Sequence, residues 1–177
     1  MYLISVYFDD KTNKILKRYI DRIAEATGND FMTRNNVPPH MTISAIEAPD
    51  IETLIPSFET LKENLKSGEI NIVTLGQLFP YVMYGGAVLN DYLIDLSQKV
   101  YEAYKDVPKT TISRFYKPMS WLPHVTLGKT LDKEQMRKAF AVMQENFVPL
   151  KATVTSIGLA KVNPHQDVVQ WTLGDGV

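Results

Sequence analysis

The sequence predicts an α+β fold of two similar lobes, in which two antiparallel-rich sheets form a central cleft and helices pack on the outside. One observation is the order of elements, which is strand, helix, strand, helix, strand, strand, helix, strand, helix, strand, strand, with two similar halves. The other is a Pro-His-x-Thr segment that occurs once in each half. Because 177 residues is the size of one domain, we expect residues 1–177 to form a single domain made of two pseudo-symmetric lobes.

The first half of the chain alternates strands with amphipathic helices. Residues 1–8 are apolar and stop at two aspartates, which is typical of a first strand and too short for a signal peptide. Residues 11–27 place apolar side chains at helical spacing, and a glycine follows as a C-cap. Residues 41–45 alternate as a half-buried strand does. Residues 50–66 have helical spacing again, and we expect Pro56 to bend this helix or delay its start.

The second half repeats this alternation with similar signals. Glycines and prolines separate the apolar runs, and Asp132 stands where a helix N-cap is expected. A long loop over 105–122 and a turn at 163–165 connect the elements. The pattern predicts strands over 69–79 and 82–89, a helix over 91–104, a strand over 124–127, a helix over 132–147, and strands over 151–161 and 168–173.

Composition narrows the classes of function. The chain has no cysteine, which excludes disulfides, a thiolate nucleophile and cysteine-based metal sites and favours a cytoplasmic location. The formal net charge of −1 gives no long-range attraction to polyanions, so we expect no binding to long duplex nucleic acid. Hydrophobic residues are 45% of the chain and form no membrane-length run, so we expect no membrane contact. We also expect the protein to be a monomer.

Two segments share the same residues at the same offsets. They are Pro39-His40-Met41-Thr42-Ile43 and Pro123-His124-Val125-Thr126-Leu127. Side chains two residues apart on a strand point to the same face. Each histidine therefore shares a face with its threonine, while the aliphatic residues between them face the core. A cleft between the lobes would receive both pairs.

Two histidines that face one substrate can divide acid and base roles. An ordinary pKa near 6.5 lets one imidazole be neutral while the other is protonated. One histidine would deprotonate a water that attacks phosphorus, and the other would protonate the departing ribose oxygen. The hydroxyls of Thr42 and Thr126 would hydrogen-bond the nonbridging oxygens. This chemistry requires no metal and no cofactor, and we expect neither.

The paired motifs resemble those of the two-histidine (2H) phosphoesterase superfamily, which includes 2'-5' RNA ligase-like proteins and cyclic phosphodiesterases. The resemblance covers nearly the whole chain and implies a bilobal, duplicated α+β fold. It implies hydrolysis of cyclic phosphodiesters, with RNA end joining in some members, and hence a small nucleotide or an RNA terminus with a cyclic phosphate as the partner. By the same resemblance, His40, Thr42, His124 and Thr126 are catalytic, with His124 activating water and His40 acting as the acid.

Basic and aromatic side chains outside the motifs are candidates for substrate binding. Arg114, Lys117 and Lys129 are the candidates for phosphate contacts, with Arg34 as another. Tyr116 and Trp121 are candidates for stacking on a base, as is Phe79. The usual alternative is that such cations are solvated and such aromatic residues belong to the core.

Two other functions remain open at this stage. One is a metal-dependent hydrolase that uses all three histidines, although the usual metal-site spacings are absent from the sequence and His165 is expected in an exposed turn. The second is a non-catalytic nucleotide- or RNA-binding regulatory module on the same fold. Two intact histidines favour catalysis, because phosphate binding alone needs no acid-base pair.

Overall fold

The predicted helices and strands occur along the chain in the predicted order, together with short additional elements. The computed structural model describes residues 1–162 and 166–174. The strands are β1 (Tyr2–Phe8), β2 (Met41–Glu47), β3 (Gly68–Leu78), β4 (Val82–Ala87), β5 (Thr111–Ile112), β6 (His124–Gly128), β7 (Leu150–Lys161) and β8 (Gln166–Thr172). The α-helices are α1 (Asp10–Thr27), α2 (Phe31–Arg34), α3 (Ile55–Asn64), α4 (Asp91–Tyr104) and α5 (Lys133–Asn146).

The strands form one antiparallel sheet whose edges meet. Its order is β1-β2-β6-β4-β3-β7-β8, and β7 also pairs with β1, so six strands make a closed circuit. β2 and β6 are joined at one residue pair, Met41 with Val125. The α+β class with antiparallel strands is confirmed. The two predicted sheets, however, are continuous, because the long strand β7 pairs with β1 on one edge and with β3 on the other.

Alternation along the strands separates a core face from a cleft face. Met41 and Ile43 on β2 and Val125 and Leu127 on β6 are buried in the core, as the motif spacing predicts. On the core side α1 packs against α5, and α3 against α4. Hydrophobic burial of this kind is the main force that holds the strands in register, because a one-residue slip would turn the apolar side chains toward solvent.

Local signals explain where the helices begin and end. Asp9 and Asp132 cap α1 and α5, and Asp132 forms a capping box with Gln135. Gly28 ends α1 in the left-handed region at φ 69°, which glycine adopts without strain. Helix α3 begins at Ile55, five residues later than the apolar spacing predicts, with Pro56 in its first turn. Pro56 therefore delays the start of this helix, since proline is tolerated only where no amide donor is needed.

Two predicted loops contain short regular elements. Helix α2 lies within the loop that precedes the first motif, and β5 and a 3-10 turn at Arg114–Tyr116 lie within 105–122. β5 exists because it pairs with Ile46 and Glu47 at the end of β2, a contact that no local pattern reports. The predicted turn at 163–165, with His165, lies outside the described residues. Among the helices of the described chain, none has the length and apolarity needed to cross a membrane.

Candidate active site

The two motifs meet at the single pairing between β2 and β6. Met41 is opposite Val125 in antiparallel register, so one step along each strand brings Thr42 toward His124 and His40 toward Thr126. Both histidines are half-buried. Because the central pair Met41 and Val125 faces the core, the flanking histidines and threonines share the cleft face. The structure therefore brings the four predicted catalytic residues together.

Both histidines are oriented by the same hydrogen bond. His40 Nδ1 lies 2.7 Å from the carbonyl oxygen of Pro38, and His124 Nδ1 lies 2.7 Å from the carbonyl oxygen of Leu122. A carbonyl oxygen only accepts, so Nδ1 carries a proton and donates it in each ring. The neutral form of each imidazole then has its lone pair on Nε2. The two motifs thus hold their imidazoles in matched tautomers, each with its lone pair on Nε2.

A tyrosine packs against each histidine from the neighbouring strand. The ring centroids of Tyr7 and His40 are 6.3 Å apart, and those of Tyr84 and His124 are 5.3 Å apart with the rings nearly edge to face. Tyr7 lies on β1, which pairs with β2, and Tyr84 lies on β4, which pairs with β6. Aromatic contacts of this geometry hold a ring in one orientation. The tyrosines therefore limit the rotation of both histidines.

Each tyrosine ring lies over a glycine. A Cβ on Gly76 would be 2.3 Å from Tyr84 Cζ, and a Cβ on Gly158 would be 2.8 Å from Tyr7 Cε2. Real side chains do not approach so closely, so only glycine leaves room for these rings. The sequence interpretation missed all four residues. The sequence does contain a signal for the two tyrosines. Each lies on a strand that is followed by a long helix and then by a motif strand, and each is on the cleft face.

The electrostatic surroundings of the two histidines differ. Burial lowers the pKa of His124 below its ordinary 6.5, although the hydrogen bond to the Leu122 carbonyl opposes this shift. Beside His40, the hydroxyl of Tyr7 donates to Asp167 Oδ1 at 2.9 Å. Burial first, and then the Asp167 carboxylate, raise the pKa of Tyr7. His124 is therefore neutral near neutral pH, which suits a base, and Tyr7 remains a protonated donor.

Comparison with protein families identifies the chain. The family sequence model of the 2'-5' RNA ligase superfamily matches residues 13–166 of this chain. The chain belongs to the 2'-5' RNA ligase superfamily. The resemblance to the 2H phosphoesterases is thereby confirmed, and the chain is a member of a superfamily of phosphoesterases and RNA ligases.

Solved structures share the fold of this chain. LigT of E. coli in complex with 3'-AMP is 13% identical and superposes with a TM-score of 0.66, covering 97% of each chain. TT0787 of Thermus thermophilus is 13% identical with a TM-score of 0.65, covering 99% of each chain. At this identity the likeness shows the fold alone. A comparison with curated protein sequences gives no match.

The two motif threonines have different surroundings. Thr42 is buried, and its hydroxyl oxygen lies 3.3 Å from that of Ser5 on β1. Thr126 is half-buried and pairs across the ladder with Tyr84. The Thr42 hydroxyl therefore has a protein partner that fixes its orientation, whereas Thr126 is the more accessible of the two.

Trp121 lies beneath the first motif and not on the surface of the cleft. Its side chain is only 8% exposed, and its indole Nε1 donates to the carbonyl oxygen of Thr42 at 3.1 Å. A buried ring with its one donor engaged cannot offer a face to a base. The prediction that Trp121 stacks on substrate is corrected on this ground, since the structure makes it a support for the Thr42 backbone.

The remaining predicted binding residues are spread around β2 and β6. Arg114 is the first residue of the 3-10 turn that packs on β2, and Lys117 directly follows this turn. Both are exposed, and the Arg114 guanidinium lies over the ring of Phe115. Tyr116 in the same turn is half-buried, and burial raises its pKa. Lys129 follows β6 at the end away from His124, with its ammonium group 5.6 Å from the ring centroid of Phe31. Their contacts with substrate remain predictions.

Two further candidates lie elsewhere. Arg34 is exposed and forms an ion pair with Asp30 at 3.5 Å, and Phe79 is 85% exposed at the tip of the β3–β4 hairpin. Over residues 1–162 and 166–174, no three histidine or acidic side chains converge in a way that could hold a metal ion. The four motif residues are thus the centre of the candidate site.

Proposed function

We propose that this protein is a metal-independent phosphoesterase that hydrolyses cyclic phosphodiesters, 2',3'-cyclic or related, on RNA ends or small nucleotides. The observation that carries the proposal is the matched pair of Nδ1 hydrogen bonds, which leaves the lone pair of each neutral imidazole on Nε2, at the point where β2 and β6 bring the two motifs together. Membership of the 2'-5' RNA ligase superfamily supports the same class of reaction. A small nucleotide or an RNA terminus with a cyclic phosphate is the proposed partner.

In the proposed reaction His124 is the base and His40 the acid. Neutral His124 takes a proton from water through Nε2 as the water oxygen bonds to phosphorus. The bond from phosphorus to one ribose oxygen breaks, and protonated His40 gives its Nε2 proton to that oxygen. The product is a ribose monophosphate, and the enzyme ends with the two protonation states exchanged. Hydroxyl donors from Thr42 and Thr126 stabilise the charge on the nonbridging oxygens.

The same geometry supports ligation when an RNA hydroxyl replaces water. A 5'-hydroxyl would lose its proton to one histidine and attack the cyclic phosphate, forming a 2'-5' linkage as the other ribose oxygen leaves. No additional group is needed, because the acid and base steps are the same. Ligase activity is therefore proposed as a secondary reaction of this site.

The decisive experiment is alanine substitution at each histidine. We expect His40→Ala and His124→Ala each to reduce kcat for 2',3'-cyclic AMP by about 100- to 10,000-fold, the usual contribution of a general acid or base. Thr42→Ala and Thr126→Ala should cost less. Chelator should leave the activity of the wild type unchanged.

The alternative of a binding module gives a different result. If the wild type binds nucleotides but turns over no cyclic diester, 2'-5' oligonucleotide or RNA end, the protein is a regulatory binding module and not an enzyme. Near-normal activity in either histidine variant would contradict the two-histidine mechanism. Circular dichroism and thermal unfolding of both variants establish that the protein remains folded.

A further inference from the structure

A cavity of about 490 Å³ opens beside His40. It is bounded by residues of β1, β7 and β8, by helix α1 and by the segment that links α1 to the first motif. Two of its walls, Tyr7 and Pro38, are the groups that contact the ring and the Nδ1 atom of His40. We call it the His40-side cavity. Its volume lies within the range of about 300–1,000 Å³ that small-molecule sites occupy.

The lining of the His40-side cavity combines apolar walls with polar groups. Phe8, Met32 and Pro39 contribute apolar surface, while Asn13, Ser156 and Gln170 contribute amide and hydroxyl groups. Asn13 Oδ1 is buried and has no hydrogen-bond partner among the described residues, although its Nδ2 donates to the Phe8 carbonyl. A buried acceptor of this kind costs free energy unless a ligand or water donates to it.

We propose that the His40-side cavity binds the nucleobase of the substrate. A nucleobase has apolar faces and an edge of hydrogen-bond donors and acceptors, which matches this lining. The inference rests on the proposed function. In an in-line displacement the leaving oxygen departs opposite the attacking water. With His124 activating water and His40 protonating the leaving oxygen, the ribose and its base lie on the His40 side.

Charge argues against a phosphate in this cavity. The Asp167 carboxylate lines it and accepts the Tyr7 hydroxyl, and it would repel an anion. Among the described residues of the lining the cation is Lys17, which already pairs with Asp21 at 3.1 Å. A neutral heterocycle with N–H groups is therefore a better occupant than a second phosphate group.

The test fills the cavity and compares a substrate that has a base with one that lacks it. Thr33 lines the cavity from the short helix α2, so Thr33→Trp reduces the volume without changing a strand of the catalytic site. Thr33→Val keeps the volume and removes only the hydroxyl. Lys14→Trp introduces the same indole side chain at an exposed position on α1 that does not line the cavity. The substrates are 2',3'-cyclic AMP and base-free ribose 2',3'-cyclic phosphate.

Binding a base by stacking and apolar burial is worth about 10- to 100-fold. We therefore expect the wild type to show a kcat/KM higher by that factor for cyclic AMP, and Thr33→Trp to lose most of it through KM. With the base-free substrate all variants should stay within about twofold of the wild type. Equal effects of Thr33→Trp on both substrates, or no effect on either, would overturn the inference.

Direct binding separates this inference from the proposed function. Adenosine 2'-phosphate should bind the wild type and Lys14→Trp equally, and bind Thr33→Trp at least about 10-fold more weakly. If the wild type hydrolyses neither diester but this binding pattern holds, the catalytic proposal fails and the base site stands. If Thr33→Trp binds adenosine 2'-phosphate as tightly as the wild type, the base site fails whatever the catalytic result.

Discussion

The contact between Gly76 and Tyr84 gives the sharpest test of how the site is held. A Cβ on Gly76 would lie 2.3 Å from both Cζ and Oη of Tyr84. Carbon atoms in ordinary contact are about 3.5 Å apart, so Gly76→Ala must displace the ring by roughly 1.2 Å. Tyr84 is half-buried, so its ring is not enclosed on all sides. We expect the free energy of unfolding to fall by only about 1 kcal/mol, the lower end for overpacking.

The displacement should affect catalysis more than stability. The edge-to-face contact of Tyr84 with His124, at 5.3 Å between centroids, is worth about 0.5–1.5 kcal/mol by analogy with other aromatic pairs. Loss of that contact in the transition state corresponds to about a 2- to 13-fold fall in rate. We therefore expect kcat/KM for 2',3'-cyclic AMP to fall by about that factor in Gly76→Ala.

A matched glycine and a double variant complete the experiment. Gly174→Ala should change nothing, because a Cβ there meets no atom within 4 Å. In a Tyr84→Ala background, Gly76→Ala should cost nothing further, since the two residues act through one contact. Thermal unfolding and initial rates are measured on the wild type and on every variant. Full activity in Gly76→Ala, or equal costs with and without Tyr84, would refute a positioning role for this ring.

Two further predictions concern His124 and Trp121. The acidic limb of the kcat/KM profile should have its midpoint below pH 6.5, because burial lowers the pKa of His124 and the base stays neutral to lower pH. Because the pKa of His124 is lower in the folded protein, the unfolded chain takes up this proton at higher pH than the folded protein does. The contribution of His124 to the free energy of unfolding is therefore present above about pH 6.5 and is lost as pH falls through the folded-state pKa. The variant His124→Gln should remove this pH dependence of stability. Trp121→Phe should lower the free energy of unfolding by about 1–3 kcal/mol, since the Thr42 carbonyl loses a buried donor. A raised KM with unchanged stability in this variant would instead restore a role in stacking on substrate.

Local sequence patterns were sufficient to predict the features that depend on neighbouring residues, such as helix ends and strand faces. Helix α5 begins and ends within a residue or two of its prediction, because its capping box and apolar spacing are written in neighbouring residues. The face that Met41 and Val125 take follows from alternation alone. The delayed start of α3 was one of two expectations for Pro56, and the structure decided between them.

Neighbours across the sheet were not predictable in this way. β5 and the single continuous sheet depend on pairing between strands that lie far apart in sequence. The alternation of apolar and polar residues in a strand predicts which face of the sheet each side chain takes, but it does not predict which strand pairs with it. The same limit explains the error at Trp121. Its ring follows a loop that looks exposed, but the fold carries it beneath β2, where its indole donor meets a backbone carbonyl.

The sequence by itself determined the α+β class and the two matched motifs, with each histidine on the same face as its threonine. These properties depend on the period of a strand or helix and on residues a few positions apart. The tertiary structure alone decided that Tyr7 lies over Gly158 and Tyr84 over Gly76, and that a cavity opens beside His40. The reason is physical: such contacts arise from strand register and closure of the sheet, which bring distant segments together only after the whole chain has packed.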